Sequence, residues 1–216
     1  MQKLSRKDRS YYGHAKTKLV KMLPTLQGRF LEIGCGEGAT LEYLKSAGAS
    51  FVAGVDINEE AIAVAATRGL DLSLAADVEK NGLPFKECEF DALIMADVLE
   101  HLVEPWETLR RLSGYLKNDG YVLISIPNVR HYRVLRDLVL RDEWSYSESG
   151  ILDSTHLRFF TLKEVEKLLR YAGLEIARLE RKIHASAMVK FFNILLLNSL
   201  RPFLVFQYEV LAKKRP

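Results

Sequence analysis

Cysteine is scarce in this chain: there are two in 216 residues, Cys35 and Cys88. They form no spaced pair, and Cys35 sits in a glycine-rich turn that a disulfide would distort. A disulfide framework is therefore excluded, and a reduced, cytoplasmic setting is expected. Long hydrophobic runs are missing as well. No apolar stretch reaches the about 20 residues that a bilayer span needs. The opening residues are polar and basic, without the apolar core of a signal peptide. Low-complexity tracts and internal repeats are absent, which leaves room for one α/β domain with a full core. Basic residues almost vanish between Phe30 and Thr67, where Lys45 is the only one among Glu32, Glu37, Glu42, Asp56, Glu59 and Glu60.

What is present inside that acidic window is Phe30-Leu31-Glu32-Ile33-Gly34-Cys35-Gly36-Glu37-Gly38-Ala39. A short apolar run ends in a glycine-rich turn, and an amphipathic segment follows to Ala47 with Leu41 and Leu44 on one side. The pattern predicts strand, tight loop and helix. Glycines at alternate positions let a ligand approach the main chain without meeting a side chain. The spacing Gly34-x-Gly36-x-x-Ala39 also fits a dinucleotide fingerprint. Charge separates the two readings. A pyrophosphate would be repelled by Glu37, whereas a ligand carrying an ammonium and a sulfonium suits Glu32. S-adenosyl-L-methionine is such a ligand and has no phosphate.

The stretch Glu32-x-Gly34-x-Gly36-x-Gly38 resembles the first motif of class I S-adenosylmethionine-dependent methyltransferases. The resemblance runs from about Phe30 to Ile176 and is closest to the small-molecule branch, which includes ubiquinone-biosynthesis and sugar O-methyltransferases. It implies a Rossmann-like, doubly wound α/β fold with a seven-stranded sheet, mostly parallel with an antiparallel last strand.

The chain order supports such a sheet. Strands are expected at Phe51–Asp56, Leu72–Val78, Phe90–Met95, Tyr121–Ile126, Leu174–Leu179 and Val205–Ala212, alternating with helices in the first five units. Asn58 reads as a helix cap, and so does Thr161 with Glu164 behind it. Leu109, Leu112 and Leu116 recur at helical spacing, with Gly120 past the end. In open sheets of this kind the ligand lies outside the carboxyl ends of the strands. Asp56, ending the second strand, fits an acceptor for both ribose hydroxyls. By resemblance, Asp77 accepts from the adenine amino group and Val78 offers its backbone amide. Ala96 holds the methionine end through its carbonyl. The expected donor set is Glu32, Gly34, Cys35, Gly36, Asp56, Ile57, Asp77, Val78 and Ala96.

Two flanking regions frame this domain. Residues 1–28 are basic, with a helix expected near Tyr12–Leu23 that Pro24 stops, and relatives often use such a segment to cover the donor pocket. Residues 29–216 form the catalytic domain. Within it, residues 128–160 are expected to be the acceptor side. Arg130, Arg133, Arg136 and Arg141 alternate with Val134, Leu135, Leu138 and Val139, so the start of that region reads as an amphipathic helix. Its arginines suit an anionic acceptor, or simply a solvated basic face. Residues 184–204 contain Phe191-Phe192-Asn193-Ile194-Leu195-Leu196-Leu197, expected to bury against the sheet, in a homodimer or at a membrane surface. No nucleic-acid-binding module accompanies the basic termini.

Methyl transfer to a hydroxyl needs a base, and histidine suits neutral pH. His101 and His156 are the expected catalytic residues. Asn128, Arg130, His131 and Arg158 are the expected acceptor contacts. No metal site is expected, because Glu100 and His101 are adjacent and neighbours on a helix diverge. The expected activity is methyl transfer to an oxygen of a small molecule, with a sugar or polyketide-like hydroxyl as acceptor. The rivals are a quinone-precursor O-methyltransferase at a membrane surface and a donor-binding protein without turnover.

Overall fold

The computed structural model describes residues 15–183, 193 and 199–215. Much of the basic leader, and Phe191–Leu197 apart from Asn193, lie outside them. So does the expected covering or membrane-facing role of each segment. In chain order the elements are α1 (Thr17–Val20), β1 (Arg29–Ile33), α2 (Ala39–Ser46), β2 (Phe51–Asp56), α3 (Glu59–Ala65), β3 (Leu72–Ala75) and β4 (Phe90–Ala96). Then come α4 (Pro105–Ser113), β5 (Leu116–Pro127), α5 (Tyr132–Arg141), α6 (Leu162–Tyr171), β6 (Leu174–Ile183), α7 (Arg201–Leu204) and β7 (Val205–Lys214).

The seven strands form one sheet in the order β3-β2-β1-β4-β5-β7-β6. The first five pair in parallel, and β7 runs antiparallel to both β5 and β6. The order reverses between β1 and β4, which sets the crevice of a doubly wound sheet there. Alternation along the strands sends Leu31, Ile33, Leu93, Met95, Val122 and Ile124 to one face, under Leu109 and Leu112 of α4 and Val165 and Leu168 of α6. Phe30, Val52, Ala92, Ile94 and Leu123 face the other way, under Leu19 of α1, Leu41 and Leu44 of α2 and Ile62 of α3. Full burial of one such side chain stabilises the fold by about 1.5–3 kcal/mol.

The helix starts follow the local rules. The Asn58 side chain accepts from Glu60 N and Ala61 N, Pro105 occupies the first turn of α4, and Thr161 Oγ1 accepts from Glu164 N. One boundary departs from expectation. Leu116 does not continue α4: the helix closes at Gly114, and Leu116 pairs with Phe90 as the first residue of β5. Gly120 therefore lies inside a long strand, beside a register shift, and ends no helix. Full burial of Leu116 between strands outweighed its helical spacing. The leader helix is also shorter than expected, four residues within the described part.

Candidate active site

The glycine loop after β1 is tied to β2 from below. Gly34 N and Cys35 N both donate to Val55 O, at 2.8 and 3.2 Å. Gly34 has φ +69°, and a Cβ there would come within 2.6 Å of Val98 Cγ2. Only glycine meets both conditions. Gly54 on β2 is equally confined: a Cβ would lie 2.7 Å from Cys35 Sγ and 2.9 Å from Leu41 Cδ1. The Cys35 thiol thus packs beneath the loop, and burial first, then Glu32 and Asp56, push it well above the usual thiol range. It is an inert thiol, and any donor contact it makes is through its backbone.

Asp56 is clasped at the end of β2. Gly36 N donates to its Oδ2 at 2.8 Å and Asn58 N to its Oδ1 at 2.9 Å. Each carboxylate oxygen keeps a further lone pair. Ile57 beside it is exposed, an apolar side chain at the mouth of the crevice. Asp77 accepts from Lys80 Nζ at 2.7 Å and from Glu79 N at 3.0 Å, and the Lys80 contact is the main reason its carboxyl stays below the usual range. Val78 is buried, with its carbonyl accepting from the Arg111 guanidinium.

Glu32 is almost fully buried at the end of β1. Burial pushes its carboxyl up to about 8, against the pull of the Thr40 hydroxyl and of Lys16, with Asp56 adding a small upward push. Its Oε2 has no hydrogen-bond partner among the described residues. A buried carboxylate oxygen in that condition is costly unless a ligand supplies the donor.

Asp97, which follows Ala96 at the end of β4, has φ +57°. This is an uncommon conformation for a residue with a side chain. Ser125 Oγ at 2.7 Å and the Gln207 amide both donate to its Oδ1, and Lys16 Nζ lies 2.8 Å from its Oδ2. Neither Asp97 nor Lys16 was marked by sequence reasoning as a site residue. The position directly after the fourth strand was a usable signal for Asp97. Lys16 carried none, since one lysine in a basic run looks like the next.

Beyond Asp97 the chain makes a short 3₁₀ turn, Leu99–His101, and residues 151–158 fold against it. Leu157 N and Arg158 N donate to Glu100 O at 2.8 and 3.0 Å. His101 Nδ1 lies 3.1 Å from Thr155 O, and His156 Nδ1 lies 2.9 Å from Ile151 O. A carbonyl only accepts, so each Nδ1 carries the hydrogen and Nε2 is the basic nitrogen of the neutral ring. The two rings meet edge to face at 4.8 Å. The expected divergence of Glu100 and His101 does not hold on this tight turn. Glu100, His101 and His156 offer one ligand atom each, all within 4.8 Å of one another. An oxygen and two imidazole nitrogens are a donor set that suits a divalent cation. The backbone carbonyls on both Nδ1 atoms orient the rings as they do around metals.

The other expected acceptor residues hold the framework. Asn128 is fully buried, with Nδ2 donating to Val205 O at 2.8 Å and Oδ1 accepting from Arg130 N at 3.1 Å. His131 is the N-cap of α5, its Nδ1 accepting from Arg133 N at 3.4 Å. The Arg130 guanidinium lies over the Phe203 ring at 4.4 Å, and that of Arg158 donates to Val103 O. Arg136 and Arg141 both pair with Asp137. Among the exposed side chains of residues 128–160 are aromatic ones beside the aliphatic Leu138, Val139, Leu140 and Leu157. Trp144 packs edge-on against Phe159 at 5.1 Å, Tyr146 lies 6.4 Å from Phe159, and Phe159 lies 6.4 Å from His156. A line of rings therefore leads from the histidine pair to the surface.

A cavity of about 230 Å³ opens at the opposite, amino ends of the strands, lined by Phe30, Lys117 and Tyr121 among others. The Lys117–Asp91 ion pair beside it, at 2.8 Å, ties strand starts together. None of the site residues reaches it.

Comparison with known proteins decides the family. Residues 6–179 match the methyltransferase domain family. The chain belongs to that family. Curated relatives named ubiquinone biosynthesis O-methyltransferase include one from Neisseria meningitidis serogroup C, 27% identical over 157 residues, covering 69% of this chain and 64% of the relative. One from Bordetella avium is 32% identical over 158 residues, covering 70% and 64%. The chain thus spans a little under two thirds of the length of these relatives. Solved S-adenosylmethionine-dependent methyltransferases share the fold. One from Archaeoglobus fulgidus superposes with a TM-score of 0.68 at 23% identity, covering 92% of each chain. Another from Mesorhizobium loti gives 0.65 at 19%, covering 92% of this chain and 96% of that one. S-adenosylmethionine is the donor that this membership brings. The orphaned Glu32 oxygen, the confined Gly34 and the clasped Asp56 all fit a nucleoside with an ammonium end. Among the described residues, no helix of this methyltransferase is long and apolar enough to cross a membrane.

Proposed function

We propose that the chain transfers a methyl group from S-adenosylmethionine to a hydroxyl oxygen of a small, ring-bearing molecule. The observation that carries this reading is the His101–His156 pair beside the carboxyl end of β4, next to the donor crevice. The donor supplies an electrophilic methyl on a sulfonium. Asp56 takes the ribose hydroxyls, Asp77 the adenine amino group, and Glu32 the ammonium. Ile57 offers an apolar face to the adenine. His156, buried and locked by Ile151 O, receives the acceptor's hydroxyl proton on Nε2. His101 braces it ring to ring, and the Glu100 carboxylate favours the charged imidazolium that results. The wall of residues 151–160 keeps water from the crevice.

The free surface around the pair favours a phenolic or polyketide-like ring over a sugar. Sugars are gripped by side chains with open hydrogen-bond capacity. Here Asp153 Oδ1 accepts from Thr155 N and Oγ1, Ser147 Oγ donates to Ser149 O, and Asn128 holds the β7 backbone. Phe159, Trp144 and Tyr146 remain for the acceptor's ring to pack against. The name carried by the curated relatives is in keeping with an oxygen acceptor. A second reading of the same atoms has Glu100, His101 and His156 holding a divalent cation, which would lower the pKa of the acceptor hydroxyl.

The test is methyl transfer from tritium-labelled donor to 3,4-dihydroxybenzoate, 4-hydroxybenzoate and methyl glucoside, before and after dialysis against EDTA. Methylation of a phenol that survives chelation supports the base reading. Activity that disappears with EDTA and returns with Mg²⁺ supports the cation. Labelling of methyl glucoside alone overturns the ring preference. Tight donor binding with no turnover on a wider phenol panel overturns the enzyme reading.

A further inference from the structure

Three segments of the site meet at the backbone of Val103. Glu79, on the loop after β3, reaches it with both carboxylate oxygens. Oε2 accepts from Val103 N at 3.0 Å and Oε1 from Glu104 N at 2.7 Å. The carbonyl of the same residue, Val103 O, accepts from the Arg158 guanidinium. Arg158 N and Leu157 N in turn donate to Glu100 O. A strut of hydrogen bonds thus runs from the loop that carries Asp77 and Val78 to the His101 turn and to the wall that carries His156. Its foot is fixed too: Glu79 N donates to Asp77 Oδ1 at 3.0 Å, and the Arg111 guanidinium donates to Val78 O and Asn81 O.

Formation of α4 alone does not require Glu79. Val103 and Glu104 are exposed, so water can take either N–H. The helix opens on Pro105, and Thr108 N closes onto Glu104 O at 3.0 Å. The helix dipole favours a carboxylate there as well, and the test below separates the two roles. What the carboxylate adds is orientation, because it grips two successive N–H groups just past His101. His101 spans a seam: its backbone belongs to the turn, while its Nδ1 bonds to Thr155 O in the wall. Sliding of turn against wall would lengthen that bond and tilt the ring against His156, its edge-to-face neighbour at 4.8 Å.

We propose that Glu79 is a positioning residue for methyl transfer, holding the His101–His156 pair in register through the Val103 backbone and Arg158. The assignment rests on the histidine reading above. A double-mutant cycle on the full chain tests it, with 3,4-dihydroxybenzoate as acceptor and saturating donor. Glu79→Ala is expected to lower kcat about 10-fold and to keep the Kd for S-adenosylhomocysteine within a few-fold. Glu79→Gln, which retains one accepting oxygen, is expected to recover part of the loss. In a His156→Ala background, Glu79→Ala should cost nothing further, because the group it positions is gone. A helix-start effect would instead add in full. A second readout needs no acceptor. In the ¹H–¹³C correlation spectrum of the imidazole rings, Glu79→Ala should shift His101 and His156 and leave His131, at the start of α5, in place. Unchanged kcat in Glu79→Ala, full additivity with His156→Ala, or unmoved histidine signals overturns the assignment. If His156→Ala is as fast as the native chain, or the native chain methylates no phenol, the histidine reading has failed. The ring signals then still decide whether Glu79 holds the pair.

Discussion

At the carboxyl ends of β1 and β2 the acids Glu32 and Asp56 are buried and held by their surroundings, whereas residues 128–160 carry a long exposed stretch on which charged, aliphatic and aromatic side chains all meet solvent. Glu32 Oε2 has no partner among the described residues, and Asp56 keeps lone pairs beyond its two backbone contacts. On the other side Asn128, Asp153 and Ser147 bond to their own surroundings, and the exposed apolar surface pairs Trp144 and Tyr146 with Leu138, Val139, Leu140 and Leu157. On the reading proposed above, the donor half would select by charge and hydrogen bonds and the acceptor half by shape and apolar packing. A fixed donor and an interchangeable acceptor would produce this split. The sheet supplies rigid strand ends for the constant partner, and an irregular insertion supplies a surface that can change without disturbing them.

If the halves are separable, substitutions should respect the divide. His156→Ala is expected to lower kcat by about 10²–10⁴-fold while the Kd for S-adenosylhomocysteine stays put. A matching loss of donor affinity would join the halves into one site. Asp56→Ala should weaken S-adenosylhomocysteine by roughly 100-fold, since two ribose contacts and the clasp on Gly36 N go together. Acceptor KM, measured at saturating donor, should not move. Trp144→Ala should raise acceptor KM about 10-fold, the worth of one ring face, with donor Kd and melting temperature nearly unchanged. An equal effect on phenol and glycoside acceptors would show that the rings do not set the acceptor class.

The two halves also differ in how much of them the sequence revealed. Gly34, Gly36 and Gly38 all have positive φ, and Asp56 closes its strand, so a short local pattern carried the geometry of the glycine loop and strand end. Strand ends in a parallel sheet converge by topology, which brought Asp56, Asp77 and Ala96 to the same rim without knowledge of any contact. The region proposed as the acceptor side is built from long-range closure. His101 and His156 come together only because Leu157 and Arg158 dock on Glu100 O, and nothing in either segment encodes the other. Asn128 and His131 carry two readings for a related reason. Polar residues just past a strand read as ligands, yet a corner and a helix start need the same side chains. Leu116 misled because its spacing was right for a helix while its burial was decided by Phe90 across the sheet.

The placement of β7 has a consequence for how the molecule assembles. β7 follows β6 in sequence but does not take the edge of the sheet: it wedges between β5 and β6. While the ribosome is still delivering residues after Ile183, β5 offers an unpaired border and β6 has no neighbour to hold it. The half around β1, β2 and β4 can condense early from near neighbours, but the far third of the sheet must wait for Val205–Lys214. Growing chains would then be most vulnerable to sticking to one another in that interval. Clipping Val205–Lys214 would strand β6 rather than trim an edge.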